Sequence, residues 1–116
     1  MIMLPSAVRI FLCTRSTDLR KSFDGLSGLV QECFSQELLT GHLFLFLNRR
    51  RDRIKILYFD RDGLAIWYKR LESGSFQLPD AVAQDGVELQ PAQLAMLLSG
   101  IDLRSARQRK RFQRAG

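Results

Sequence analysis

The pattern that most constrains the fold is a run of alternating apolar residues in the middle of the chain. On a strand, the segment HLFLFLN would point its leucines to one side and its two phenylalanines to the other. The leucines are Leu43, Leu45 and Leu47, and the phenylalanines are Phe44 and Phe46. Because both sets are apolar, this segment predicts a strand that is covered on both faces and lies in the centre of a sheet.

Further strands are expected on both sides of this segment. After it come the polar turn RRRDR, the strand IKILYF, the turn DRDG and the strand LAIWYKRL, an order typical of an antiparallel meander. Upstream, residues 8–14 (VRIFLCT) are rich in β-branched and aromatic types and predict a first strand. Downstream, SFQLP is expected to add a short edge strand that ends at Pro79, and the polar segment DAVAQDGVELQ is expected to form a loop.

Two helices complete the predicted fold. Residues 16–36 (STDLRKSFDGLSGLVQECFSQ) carry apolar residues three and four positions apart, which predicts an amphipathic helix with Ser16 or Thr17 as its N-cap. Pro91 is suited to the first turn of a second helix, whose end is disturbed by Gly100. We therefore expect an α+β domain: a mostly antiparallel sheet of about five strands with the first helix packed on it, and a second helix near the C-terminus.

Positive charge is concentrated at the C-terminal end of the chain. The formal net charge is +6, and residues 104–116 contain no acid and the following bases: Arg104, Arg107, Arg109, Lys110, Arg111 and Arg114. Residues 1–103 are therefore formally neutral, which predicts a single domain over 1–103 and a flexible basic tail over 104–116. Such a tail can neutralise phosphates and release counterions, which favours nucleic acid over an acidic protein partner or a merely solvated tail.

A second basic cluster lies at the predicted turn after the central strand. Arg49, Arg50, Arg51 and Arg53 could straddle a nucleic-acid backbone, with Asp52 interrupting the cluster. Exposed turns are commonly polar for structural reasons alone, so a purely structural interpretation has about the same weight.

Aromatic and basic residues also occur together on a predicted strand. Trp67 and Tyr68 are followed by Lys69 and Arg70, a mixture similar to that with which single-strand binders stack bases. The more ordinary alternative is that one ring enters the core and the other lies at its rim.

Signals for catalysis or for a metal are weak. Asp60 and Asp62, together with Glu88 or Asp18, could form a two-metal carboxylate site, but turn chemistry explains a DRDG segment equally well. His42 is the only histidine and has no companion nucleophile pattern, and the chain has no glycine-rich phosphate loop. We therefore expect no enzyme activity, no cofactor and no metal site.

The sequence also predicts a cytoplasmic location. Cys13 and Cys33 lie within apolar patterns without a Cys or His at metal-ligand spacing, so we expect reduced core thiols. The N-terminal residues lack an export signature, and no apolar run approaches the roughly 18 residues needed to cross a membrane.

Three segments together resemble the TnpB-type accessory protein of the insertion-sequence-66 transposon family: MLPSAVRIFLCT, STDLRKSFDGLSGLVQ and GHLFLFLNRRRDRIKILYFDRDGLAIWYKRLESGSFQLP. The resemblance covers about residues 3–79 and implies a bacterial mobile element with a separately encoded transposase that carries the catalytic acids. By resemblance, the recurrent positions of the family are Asp18, Arg20, Lys21, Phe23, Asp24, Gly25, Asn48, Arg49, Arg50, Arg53, Lys55, Asp60, Asp62, Gly63, Trp67, Lys69 and Arg70. It implies an accessory role in transposition and no catalytic role for these residues.

Our leading hypothesis is a non-catalytic accessory protein that binds transposon DNA, at the transposon ends or within the transposase–DNA assembly. The candidate DNA-binding residues are Arg49, Arg50, Arg51, Arg53, Lys55, Lys69, Arg70 and the six bases of the tail. The alternative is a protein–protein adaptor that docks on the transposase without touching DNA, and a metal-dependent nuclease is the least favoured. The oligomeric state is left open by the sequence.

Overall fold

The computed structural model describes residues 8–78 and 85–100. Within them the strands are β1 (Ile10–Cys13), β2 (Leu43–Leu47), β3 (Arg53–Asp60), β4 (Gly63–Arg70) and β5 (Gly86–Leu89). The helices are α1 (Phe23–Phe34), a short 3-10 helix (Leu38–Thr40) and α2 (Pro91–Ser99). The predicted basic tail over 104–116 lies outside the described residues.

The five strands form one sheet in the order β4-β3-β2-β1-β5. β1 and β2 are parallel, and the other neighbouring pairs are antiparallel. The predicted α+β class, the meander of β2, β3 and β4 and the central place of β2 are thus confirmed. The parallel pair is possible because α1 connects β1 to β2 across one face of the sheet.

Apolar side chains fill both faces of the sheet, as the alternation in β2 predicted. The leucines of β2 belong to a core that includes Leu94 and Leu97 of α2. Phe44 and Phe46 belong to a second core that includes Leu26 and Val30 of α1. All five residues of β2 are buried, so each helix covers a different side of the same central strand.

The first helix begins later than predicted. Its first residue is Phe23 and its N-cap is Ser22, so the expected caps Ser16 and Thr17 were wrong. The physical reason is a competing partner: the backbone N–H of Thr17 donates to the carbonyl of Leu47 at 2.8 Å, which holds the preceding segment against the end of β2. The apolar residue Leu19, which fitted the helical spacing, is buried from a loop instead.

The segment between β4 and α2 also differs from the prediction. No strand forms over residues 75–78, and Pro79 lies outside the described residues; Phe76 is fully buried, and its N–H donates to the carbonyl of Arg51 at 2.7 Å. A strand forms instead at β5, within the stretch expected to be a loop, because it pairs with β1 and buries Leu89. Pairing with a strand more than 70 residues away outweighed the local polarity of this segment.

The second helix agrees with its predicted signals. Pro91 is its first residue, and Gly100 follows it in the left-handed conformation at φ 83°. Gln90 and Gln93 form a reciprocal capping box at its N-terminus. Neither this helix nor any other in residues 8–78 and 85–100 is long and apolar enough to cross a membrane.

Replacing glycine by alanine is expected to have opposite effects on stability at Gly86, which packs against the end of α1, and at Gly28, which lies within that helix. A Cβ at Gly86 would lie 2.5 Å from the carbonyl oxygen of Cys33 and 2.6 Å from Cδ1 of Phe34, so Gly86→Ala forces backbone to move. We expect it to lower the free energy of unfolding by about 1–3 kcal/mol. Gly28→Ala, where a Cβ meets nothing within 4 Å, should instead stabilise α1 by about 0.5–1 kcal/mol.

Urea unfolding of both variants beside the wild type measures these differences as shifts of the midpoint. A Gly86→Ala protein as stable as the wild type would contradict the close approach of β5 to α1.

Candidate nucleic-acid interface

A basic groove of about 790 Å³ lies on the α1 side of the sheet, beside the start of that helix. We call it the arginine groove, and its lining residues are Ser16, Thr17, Asp18, Leu19, Arg20, Asn48, Arg49, Arg50, Asp52, Arg53, Lys55 and Tyr68. They come from three places: the loop between β1 and α1, the turn between β2 and β3, and the adjoining ends of β3 and β4. The groove therefore joins two of the three segments that carried the family resemblance, residues 16–31 and 41–79.

The loop before α1 contains a local ion pair between Asp18 and Arg20. The carboxylate of Asp18 accepts bonds from the side chain of Arg20, including one of 2.7 Å from Nη2, and a further bond from the backbone N–H of Arg20 at 3.0 Å. These bonds hold the pKa of Asp18 at about 2, below its ordinary value; the side-chain bonds from Arg20 are the main cause, followed by the backbone bond.

The turn between β2 and β3 is organised by Asn48. Its Oδ1 accepts from the backbone N–H groups of Asp52 at 3.1 Å and Arg53 at 3.0 Å, and its Nδ2 donates to Oδ1 of Asp52 at 2.7 Å. Asp52 therefore serves the turn from within rather than pairing with an arginine. Arg49 and Arg50 are exposed on this turn and form no ion pair with any residue that the structure describes.

The part of the groove on the sheet is formed by side chains that share one face. Lys55 and Tyr68 are directly paired across β3 and β4, and Arg53 lies two residues before Lys55, on the same side of its strand. Nη1 of Arg53 donates to the hydroxyl of Tyr68 at 3.3 Å. Nζ of Lys55 lies 4.9 Å from the centre of the Tyr68 ring and donates to the carbonyl of Lys21 at 2.8 Å.

The charge of the groove is clearly positive. Its lining contains five bases and two acids, and both acids are engaged in shaping the loop and the turn. The predicted residues Arg49, Arg50, Arg53 and Lys55 are brought together here. Sequence reasoning did not select Arg20 as a binding residue, although it belongs to the family-like segment STDLRKSFDGLSGLVQ.

Other predicted binding residues lie elsewhere. Lys69 and Arg70 line a second pocket of about 430 Å³ together with residues at the end of α2, and Arg70 pairs with Glu72 at 2.9 Å. Arg51 is exposed with a positive φ of 59° and does not line the arginine groove. The six bases of the tail, Arg104 to Arg114, lie outside the described residues.

The acidic residues considered for a metal site are spread over the molecule. Asp60 and Asp62 flank the turn between β3 and β4, Asp18 pairs with Arg20, and Glu88 on β5 pairs with Arg9 at 2.6 Å. In the part of the chain that the structure describes, no three His, Cys, Asp or Glu side chains are placed to hold a metal ion.

His42 and the two cysteines contact other parts of the fold. His42 accepts a bond at Nδ1 from the backbone N–H of Arg9 at 3.0 Å, and burial, followed by the charge of Arg9, lowers its pKa. Cys13 and Cys33 are free thiols with sulfur atoms 2.9 Å apart, and burial raises the pKa of Cys13 to about 12.

The Asp18–Arg20 pair predicts a specific pH dependence. Because the pKa of Asp18 is lowered in the folded protein, its ionised form stabilises the fold above the ordinary pKa of 3.8, and this contribution is lost as the pH falls toward 2. We expect the Asp18 carboxyl to titrate near pH 2 by NMR, and Arg20→Gln to move the midpoint upward, though not fully to 3.8 because the backbone bond remains.

A matched control for this titration is Arg61→Gln, at the turn between β3 and β4 and outside the groove. An Asp18 midpoint that Arg20→Gln leaves unchanged would contradict the ion pair.

Comparisons with known proteins identify a family that this chain matches. The family model described as "IS66 Orf2 like protein" matches residues 8–108. The chain is 40% identical over 104 residues to the uncharacterized protein y4hO of Sinorhizobium fredii, covering 88% of this chain and 90% of that protein. It is 32% identical over 95 residues to the uncharacterized protein y4jC of the same organism, covering 82% and 80%. No solved structure matches the chain.

The family match extends over both sides of the arginine groove. Residues 8–108 include the loop before α1, the turn between β2 and β3, and β4 with Tyr68. The predicted resemblance to the insertion-sequence-66 accessory proteins is thereby confirmed, and the chain belongs to the IS66 Orf2-like family.

Proposed function

We propose that this protein is a cytoplasmic, non-catalytic accessory factor of transposition that binds transposon DNA through the arginine groove. Membership of the IS66 Orf2-like family supports the role in transposition. The observation that supports contact with DNA is the arginine groove. There, five bases from three separate parts of the chain face one open space. A single charged turn is common on protein surfaces, whereas convergence of this kind makes a continuous positive footprint.

Arg49 and Arg50 are the residues best suited to bind phosphate. Their guanidinium groups are exposed and form no ion pair with the described residues, so a phosphate oxygen would not have to displace an internal carboxylate. Guanidinium groups bind phosphate oxygens in a bidentate manner, and each neutralised phosphate releases counterions. Phosphate contacts of this kind orient a protein on DNA without reading its sequence.

The position of the two helices supports contact with the DNA backbone. Proteins that read bases in the major groove usually insert a helix, whereas no residue of α1 or α2 lines the arginine groove. The groove is instead formed by a loop, a turn and two strand ends. This arrangement favours contact with the sugar-phosphate backbone.

The tail adds a second proposed contact. Residues 104–116 carry six bases and no acid, and we propose that they form a separable appendage of the domain over 1–103 that adds non-specific affinity. Lys69 and Arg70 line a pocket together with Leu98 and Ser99 at the end of α2. We propose these two bases as secondary contacts.

The transposase is the expected protein partner, because the family belongs to a transposable element. A pure adaptor would bind the transposase without DNA. Co-purification of the two proteins after nuclease treatment, combined with no binding to DNA in isolation, would favour the adaptor.

Salt dependence of DNA binding tests the proposed footprint. We expect the affinity of the full chain for a duplex, measured by fluorescence anisotropy, to fall steeply between about 50 and 200 mM salt. The double variant Arg49→Gln/Arg50→Gln should bind more weakly and lower the slope of log K against log salt by about two, because two phosphate contacts are lost.

Arg61→Gln is the matched control, because it removes an exposed arginine at the opposite end of β3, roughly 25 Å from the turn. Its slope should equal that of the wild type. An unchanged slope in the double variant, or equal losses in the double variant and the control, would overturn the groove as the DNA contact.

A further inference from the structure

We infer that the arginine groove takes single-stranded nucleic acid, with an unpaired base stacked on Tyr68 and the neighbouring phosphates on the arginines. This inference rests on the proposed function and narrows its ligand from DNA in general to strands with exposed bases. It is carried by the position, exposure and contacts of one aromatic ring.

Tyr68 is unusual among the aromatic residues of the sheet because 48% of its surface remains exposed. Its neighbour Trp67 points to the other face of β4 and packs against the core on the α2 side. Phe44 and Phe46, on the same face as Tyr68, are fully buried under α1. Tyr68 therefore lies beyond the area that α1 covers, in the open groove.

The ring is also held in a fixed position. Its hydroxyl accepts from Arg53 at 3.3 Å, and the ammonium group of Lys55 lies 4.9 Å from its centre. No other cation or ring contacts it among the described residues. Because 48% of Tyr68 is exposed, part of the ring surface is available to a base, and an aromatic ring that is already ordered loses little entropy when a base stacks on it.

The combination of the Tyr68 ring with the basic residues of the groove favours single-stranded nucleic acid over a duplex. Bases within a duplex are stacked on one another and must be unstacked, at a cost in free energy, before they can lie against a side chain, whereas the bases of a single strand present their faces. A groove that served only a duplex would gain from its arginines but not from Tyr68. Single-strand binders combine a positive groove with exposed aromatic rings, which is the arrangement here.

Anisotropy titrations with labelled oligonucleotides test this inference on the full chain. The probes are oligo-dT, oligo-rU and a duplex of the same length, at one fixed salt concentration. We expect tighter binding to a single strand than to the duplex. Comparison of oligo-dT with oligo-rU distinguishes a preference for DNA from one for RNA. Tyr68→Leu should weaken single-strand binding roughly 5- to 150-fold and duplex binding much less, so the preference for the single strand falls.

Two further variants separate stacking from other effects. Tyr68→Phe keeps the ring and loses the bond from Arg53, so it should retain most of the single-strand affinity. Phe23→Leu changes an aromatic residue that is 42% exposed but does not line the groove, and it should have no effect. Circular dichroism and thermal unfolding establish that the variants are folded.

The outcomes distinguish this inference from the function on which it rests. Equal, salt-dependent binding of single strands and duplex, unaffected by Tyr68→Leu, would overturn stacking and leave the proposed function standing. An equal loss in Tyr68→Phe and Tyr68→Leu would also overturn stacking. Absence of binding to every probe would overturn both.

Discussion

The burial of β2 on both faces is the constraint on which the rest of the structure depends. Its leucines need one layer of cover and its phenylalanines another, so the sheet must lie between α2 and α1. The flanking strands β1 and β3 satisfy its backbone groups. The end of β2 also fixes the loop before α1, because the carbonyl of Leu47 accepts from Thr17. The place of the arginine groove thus follows from the central strand.

The groove exists because α1 covers only part of its side of the sheet. If the helix had begun at Ser16, as its periodicity predicted, its first turns would compete for the space that Tyr68 and Lys55 now share with the loop. The bond between Thr17 and Leu47 diverts these residues into a loop, within which Asp18 and Arg20 form an ion pair. The predicted helix therefore fails to form at residues 16–22, the segment whose loop lines the candidate DNA-binding groove.

Much of the fold could be predicted because its signals are local. The alternation in β2, the turns of the meander and the Pro91 and Gly100 signals of α2 each lie within a few residues. β5 escaped prediction because its strand character depends on pairing with β1. The basic residues were recognised as a set, but Lys69 lies on the opposite face of β4 from Tyr68, since successive side chains alternate across a strand.

The distribution of charge shows why counting along the sequence was insufficient for the site. Residues 1–103 are formally neutral, which directed attention to the tail. Within the folded domain, however, Asp18 and Asp52 bond within the loop and the turn, while Asp60, Asp62 and Glu88 do not line the groove. The groove keeps five bases against those two acids. Neutrality of the whole domain is therefore compatible with a strongly positive surface at one place, because folding separates charges that the sequence interleaves.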